Sequence, residues 1–336
     1  MAALSGARIL ICDDSSFARK QIARALPTGP AVEAVFATDG EEGLAAIRAG
    51  GIDLVFLDLN MPNLDGYGVL RAVQEERLDC PIVVVSGDIQ PEAHERVMRF
   101  GAEAFIRKPV AADQIVAILE RCGLASAGAG ATTPAPTPAP IDVDPIDGLR
   151  EVSNVAMGRA ADLLARLLEV FVEMPVPTVN HLESGELQMA LLHAAGNDEV
   201  SALCQGFIGG GISGEALLLL HESSYTDLAA LLRHTEALDD PGRIELLMDT
   251  ASLLIGAFMN GLADQLDVGF SISHPVLLGH HADIAATVAQ SASDKEKILA
   301  IELGFKIEHH NISAQLLLLF TEASMPSLHS RIAYQV

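Results

Sequence analysis

Leu54-Val-Phe-Leu-Asp58-Leu-Asn-Met-Pro-Asn-Leu-Asp-Gly66 decides the reading of the first third of the chain. A short β-rich apolar run ends on a carboxylate, and a loop holding proline and asparagine leads into a helical pattern over about 66–76. The same alternation extends outward in both directions. Further β-rich runs lie at Ala7–Cys12, Ala31–Ala37, Ile82–Ser86 and Ala104–Ile106, with helical patterns at about 16–26, 41–49, 92–99 and 112–121. Five βα units predict an α/β fold over residues 1–123, a doubly wound (βα)5 parallel sheet with helices on both faces. The strands are continuous apolar runs, as expected when both faces of a sheet are buried.

Open α/β sheets gather their chemistry at the carboxyl ends of the strands. Asp13 and Asp14 follow the first strand and Asp58 ends the third, so three carboxylates are expected to converge. Such a cluster repels itself unless a cation joins it, and Mg²⁺, an oxygen-seeking ion that retains several waters, fits. Ser86 ends the fourth strand with a hydroxyl, and Lys108 follows the fifth with a positive charge. A carboxylate flanked by Mg²⁺ and lysine is what phosphoryl transfer to aspartate requires. A cis Lys108-Pro109 peptide would aim the lysine, although most X–Pro bonds are trans.

Asp13-Asp14, Asp58 to Gly66, Val85-Ser86-Gly87 and Phe105-Ile-Arg-Lys108-Pro109 together resemble the signature of CheY-like receivers, in the same order and spacing, over about residues 6–123. The resemblance implies phosphorylation at Asp58 by a histidine kinase or a small acyl-phosphate donor. It also implies Mg²⁺ held by Asp13, Asp14, Asp58 and the backbone of Asn60, with Ser86 and Phe105 as a switch pair.

At 336 residues the chain has room for more than one core, and half of it is hydrophobic. A net charge of −24 and the lack of any basic stripe argue against a nucleic-acid partner. Cys12, Cys80, Cys122 and Cys204 form no CxxC pair, which fits a reducing compartment. The N-terminal apolar run is too short for a signal peptide, and the stretches around Leu163–Val172 and Leu253–Leu262 read as too short to span a membrane. The expectation is a soluble cytoplasmic protein without a membrane partner.

Residues 124–143 turn to Ala, Gly, Thr and Pro, including Thr133-Pro-Ala-Pro-Thr-Pro-Ala-Pro140. This is a linker, in part stiffened by polyproline geometry, that could reach ~60 Å fully extended. Beyond it, residues 144–336 hold an internal repeat, about 144–236 and 240–332. Ile212-Ser-Gly-Glu-Ala-Leu-Leu-Leu-Leu aligns without a gap on Ile312-Ser-Ala-Gln-Leu-Leu-Leu-Leu-Phe, and the helices before them align at a slightly smaller offset. Asp144-Pro145 and Asp240-Pro241 read as N-cap and first helical residue of two long helices. The expected architecture is a pseudo-symmetric α+β domain with both helices on one antiparallel sheet.

In the first of those helices Asp147, Glu151 and Asn154 stand at i, i+4 and i+7, a single polar stripe. An amide can hold a water while a carboxylate anchors a cation on a partner. An ordinary exposed stripe, with Asp147 favouring the helix N-terminus, has the same spacing. Asp147-x3-Glu151-x2-Asn154, the small residues after it and the tandem layout resemble the CheC/CheX/FliY phosphatases. That resemblance implies a fold of CheC type and removal of phosphate from phosphorylated CheY. Glu151 would pair with the regulator's lysine and Asn154 would position the attacking water, with Asp147 accessory. The second repeat offers Glu245, Asp249 and Ser252, and serine lacks the amide, so that site is expected to be weak or silent.

Gly209-Gly-Gly211-Ile-Ser-Gly214 matches GxGxxG by letter, but a strand follows it, so it reads as a β-turn. His280-His281 and His309-His310 make poor chelates, because neighbouring residues of a strand point to opposite faces. The leading expectation is an enzyme, a phospho-aspartyl phosphatase controlled by its own receiver in chemotaxis-type signalling. A different class of reading makes the second domain a binding module for phosphorylated CheY or a CheD-like partner. A third has it strip phosphate from Asp58 of its own chain or of a dimer mate.

Overall fold

The computed structural model describes residues 6–27, 32–124, 144–173, 175–183, 185–187, 189, 200–234, 238–280 and 298–334. Beyond Leu124, the segment read as a linker lies outside the described residues, as does His281. The chain forms two compact units, one ending at Glu151 and the other covering Val152–Tyr334.

In the first unit, β1 (Ala7–Cys12), β2 (Val32–Ala37), β3 (Leu54–Leu57), β4 (Ile82–Ser86) and β5 (Ala104–Arg107) alternate with α1 (Ser16–Ala25), α2 (Gly40–Ala49), α3 (Gly66–Glu76), α4 (Pro91–Arg99) and α5 (Ala112–Arg121). The sheet order is β2-β1-β3-β4-β5, and every pairing is parallel. Alternate residues of one strand serve opposite faces. Leu10, Val55, Leu57 and Val84 pack into one buried cluster, whereas Ile9, Ile11, Leu54, Phe56, Val83 and Val85 pack into the other. The side chains of Ser15, Asp39 and Asp65 accept from Ala18, Glu42 and Gly68 backbone N–H groups and start α1, α2 and α3.

A helix, α6 (Pro145–Leu168), carries the chain across the division between the units. The second unit is built on an antiparallel sheet of β6 (Val172–Glu173), β7 (Thr178–Leu182), β8 (Val200–Gly209), β9 (Ile212–His221), β10 (Ser271–Ile272), β11 (Val276–His280), β12 (Ile298–Ile307) and β13 (Ser313–Phe320). Among the described residues this unit also holds most of α6 and the helices α7 (Tyr225–Leu231), α8 (Asp240–Leu266) and α9 (Met325–Tyr334). In the central β9–β13 pair, Leu217 lies opposite Leu317, its own counterpart in the repeat. Hairpin β8–β9 aligns Leu203 with Leu218, and hairpin β12–β13 aligns the counterparts Ile301 and Leu318. The outer strands obey the same relation, since Val276 pairs with Cys204 and Thr178 with Glu302. A pseudo-twofold axis therefore passes between β9 and β13.

The glycine run closes the β8–β9 hairpin, with Gly210 and Gly211 at φ of 57° and 80°, as a two-residue turn of this hand requires. Two expectations need correction. The N-cap of α8 is Asp239, whose carboxylate accepts from Gly242 N at 3.1 Å, so Asp240 and Pro241 are the first two helical residues. At 27 residues α8 is also long and apolar enough by composition to cross a membrane. Its apolar residues serve the core instead, since Leu246, Leu247, Ala251, Ile255, Phe258 and Leu262 are buried while Glu245, Asp249, Ser252 and Asn260 are exposed.

The pseudo-symmetry is filled unequally. Phe207 meets Phe320 edge-on at 5.4 Å and Phe270 at 5.8 Å. The equivalent corner has Phe305, but Leu220 replaces the second ring and Val172 the third. A cavity of about 30 Å³ remains there, lined by Leu164, Leu220, Leu253, Leu254 and Phe305 among others. Leu220→Phe should fill it and stabilise the second unit by about 0.5–2 kcal/mol, read as a higher denaturation midpoint in urea.

Candidate functional site

The parallel sheet delivers its polar residues to one edge. Asp13 follows β1, Asp58 follows β3, Ser86 ends β4, and Lys108 follows β5 and precedes a cis peptide to Pro109. Asp13, Asp58, Ser86 and Lys108 are buried, and Asp14 is partly so. Lys108 Nζ lies 2.8 Å from Asp13 Oδ2 and 3.4 Å from Asp58 Oδ1. Burial alone would lower the lysine pKa, but Asp13, Asp58 and Glu151 outweigh it and hold the ammonium charged.

A third carboxylate completes the lysine's surroundings. Glu151 belongs to the first unit, in the second turn of α6, and its Oε1 is 3.2 Å from Lys108 Nζ. One turn earlier, Asp147 Oδ2 accepts hydrogen bonds from Ser16 Oγ at 2.7 Å and Phe17 N at 2.8 Å. Both acids of the stripe are thus engaged, which the exposed-stripe alternative excludes. Asn154, three residues further on, is also buried.

Asp13, Asp14 and Asp58 each offer an oxygen, and the three atoms lie within 4.8 Å of one another. Burial, chiefly, pushes Asp58 well above the usual carboxylate range, and Asp14 rises to about 6 from burial and the neighbouring Asp13. Burial likewise lifts Glu151 to about 7 despite Lys108. Four carboxylates share one ammonium here, and Asp58 Oδ2 is buried with no hydrogen bond from any described residue. An all-oxygen set with excess negative charge suits a hard divalent cation such as Mg²⁺. Asn60, half-buried two residues beyond Asp58, is the fourth residue expected at the ion.

Ser86 Oγ accepts from Asp88 N at 3.1 Å, and the half-buried Phe105 ring meets His94 of α4 edge-on at 5.4 Å. Sequence reasoning missed His94 and Ser16, and it quoted Gly66 in the motif without giving it a role. A Cβ on Gly66 would stand 2.3 Å from the Asp58 carbonyl oxygen, so this glycine lets α3 start beneath the carboxylate. The second-repeat trio behaves differently. Glu245, Asp249 and Ser252 are exposed on α8, and Ser252 Oγ turns back to the Met248 carbonyl at 2.8 Å.

Residues 9–120 match the family model for the response regulator receiver domain. This stretch is a receiver domain. Protein-glutamate methylesterase/protein-glutamine glutaminase 3 of Geobacter sulfurreducens is 38% identical over 116 residues, covering 34% of this chain and 31% of that protein. The chain spans about a third of the length of the curated relatives it matches first. Thermotoga maritima FliY is similar in structure over 57% of this chain and 97% of that chain, at 16% identity and a TM-score of 0.43. The CheX-CheY-BeF3-Mg complex from Borrelia burgdorferi matches over 34% of this chain and 88% of that chain, at 27% identity and a TM-score of 0.32.

Two outcomes follow for the receiver site. Mg²⁺ at about 100 times its Kd should stabilise the protein by about 2.7 kcal/mol, and Asp13→Asn should abolish most of that increment in thermal denaturation. Gly66→Ala should cost about 1–3 kcal/mol in urea unfolding, because the new methyl meets backbone rather than a movable side chain.

Proposed function

We propose that this chain is a response regulator that also removes aspartyl phosphate. Asp58 takes the phosphoryl group from a histidine kinase or a small acyl phosphate, and Glu151 and Asn154 of α6 promote its hydrolysis. The observation that carries this reading is the ion pair between Glu151 and Lys108, 3.2 Å apart. It is the pairing that the resemblance to CheC-type phosphatases leads one to expect between enzyme and substrate, with the lysine supplied here by the chain itself. The self-directed reading is therefore favoured, and free CheY-type regulators are further substrates of the same groups.

Hydrolysis needs little from the protein beyond position and charge. Water attacks phosphorus in line, the bond from phosphorus to the Asp58 oxygen breaks, and the carboxylate leaves. Both protons of the water stay with the released dihydrogen phosphate. Lys108 balances charge on the phosphoryl oxygens, and Glu151 fixes the ammonium so that it need not reorganise. The Asn154 amide, which both donates and accepts, would orient the water. Asp13, Asp14, Asp58 and the Asn60 backbone would hold Mg²⁺, which supplies further charge neutralisation when bound.

The test is the lifetime of phosphate on Asp58 after loading the full chain from acetyl phosphate. Glu151→Ala and Asn154→Ala should each lengthen it by roughly 10²-fold, the scale of removing one preorganised group. Unchanged lifetimes in both variants would leave hydrolysis to the receiver alone. The same variants mixed with a phosphorylated CheY-type regulator report on other substrates, where binding without phosphate release would favour the binding-module reading.

A further inference from the structure

Asp147 does different work from Glu151, although the two share a face of α6. Its carboxylate meets the start of α1, where the first amides of a ten-residue helix lack intrahelical partners and carry partial positive charge. The local cap is already supplied, since Ser15 Oγ accepts from Ala18 N at 3.2 Å. Ser16 is thereby free of capping and gives its hydroxyl hydrogen to Asp147 at 2.7 Å, while Phe17 N donates to the same oxygen at 2.8 Å. The Asp147 side chain is only 12% exposed, and its basic neighbour Arg150 stands off at 3.9 Å. The carboxylate is therefore committed to the α1 terminus.

We propose that Asp147 is a positioning and specificity-determining residue that recognises a receiver by the hydroxyl opening its α1, and so sets Glu151 on the lysine. Residues four apart lie one above the other on a helix. Two anchors, one at α1 and one at Lys108, fix the first two turns of α6, and a single anchor would fix only one of them. Receivers that open α1 with serine or threonine supply the donor, alanine removes one of two bonds, and a carboxylate there repels Asp147. This proposal rests on the reading of Glu151 as a working group of the hydrolysis.

The experiment follows Asp58 phosphate decay in the full chain for Asp147→Ala, Ser16→Ala, their combination, Ser16→Thr and Ser16→Asp, beside Glu151→Ala. Hydrogen bonds to a charged group set the scale, so Ser16→Ala, which removes one of the two bonds, should slow decay roughly tenfold and Asp147→Ala, which removes both, by at least as much. The combination should be no slower than Asp147→Ala, because the two residues share one bond. Ser16→Thr should restore the rate, and Ser16→Asp should be slower than Ser16→Ala. That pattern, with circular dichroism unchanged, is not expected of general destabilisation. Wild-type decay in Asp147→Ala alongside slow decay in Glu151→Ala would overturn this proposal and leave the phosphatase reading standing. Multiplicative slowing in the combination would overturn it as well. Wild-type decay in Glu151→Ala would remove the phosphatase reading and this proposal together.

Discussion

The Lys108 ammonium, buried beside Asp13, Asp58 and Glu151, is the interaction on which the site depends. A bare buried charge is too costly to keep, so the lysine needs its carboxylates and they need it. The parallel sheet makes the arrangement affordable by ending β1, β3 and β5 at one edge, where each strand delivers one member of the set. No member is adjacent in sequence to another except Asp13 and Asp14. Helix α6 joins from outside the βα pattern, and its carboxylate adds negative charge to a cluster already over-supplied with it. A divalent cation would settle that imbalance.

Much of this was legible in the sequence because both faces of the first sheet are buried. Continuous apolar runs such as Leu54–Leu57 and Ile82–Ser86 leave few other assignments, and α3 and α5 begin and end where their patterns do. The repeat was visible as aligned letters, and the register of β9 against β13 is its physical form. The N-cap of α8 was misplaced by one residue because Asp239 and Asp240 are chemically alike and only the bond to Gly242 N separates them. The length of apolar helix in α8 was underestimated because Asp249, Ser252 and Asn260 interrupt the letters, although they lie on its exposed side.

The site divides in the same way. Asp13, Asp58, Ser86 and Lys108 sit at strand ends, a location that topology alone assigns. Asp147, Glu151 and Asn154 were found by helical spacing, yet spacing could not tell a buried stripe from an exposed one. The second repeat shows why. Glu245, Asp249 and Ser252 have the same period and a similar run of two acids and a polar residue, and all three are exposed. Burial is decided by what packs on a helix, and Ser16, 131 positions from its partner, leaves no trace in any local pattern.

The pairing of Leu217 with Leu317 has a consequence for how such a unit could arise. Strands that meet through equivalent positions form an isologous contact, the kind that two identical chains make across a twofold axis. One repeat alone would present β9 as an open edge, and a second copy of itself would be its best complement. Fusion of the copies turns that contact into an intramolecular one, and each half is then released from serving the other symmetrically. Phe320 can become Leu220 on one side, and a buried polar stripe can be kept in one helix while its twin faces water.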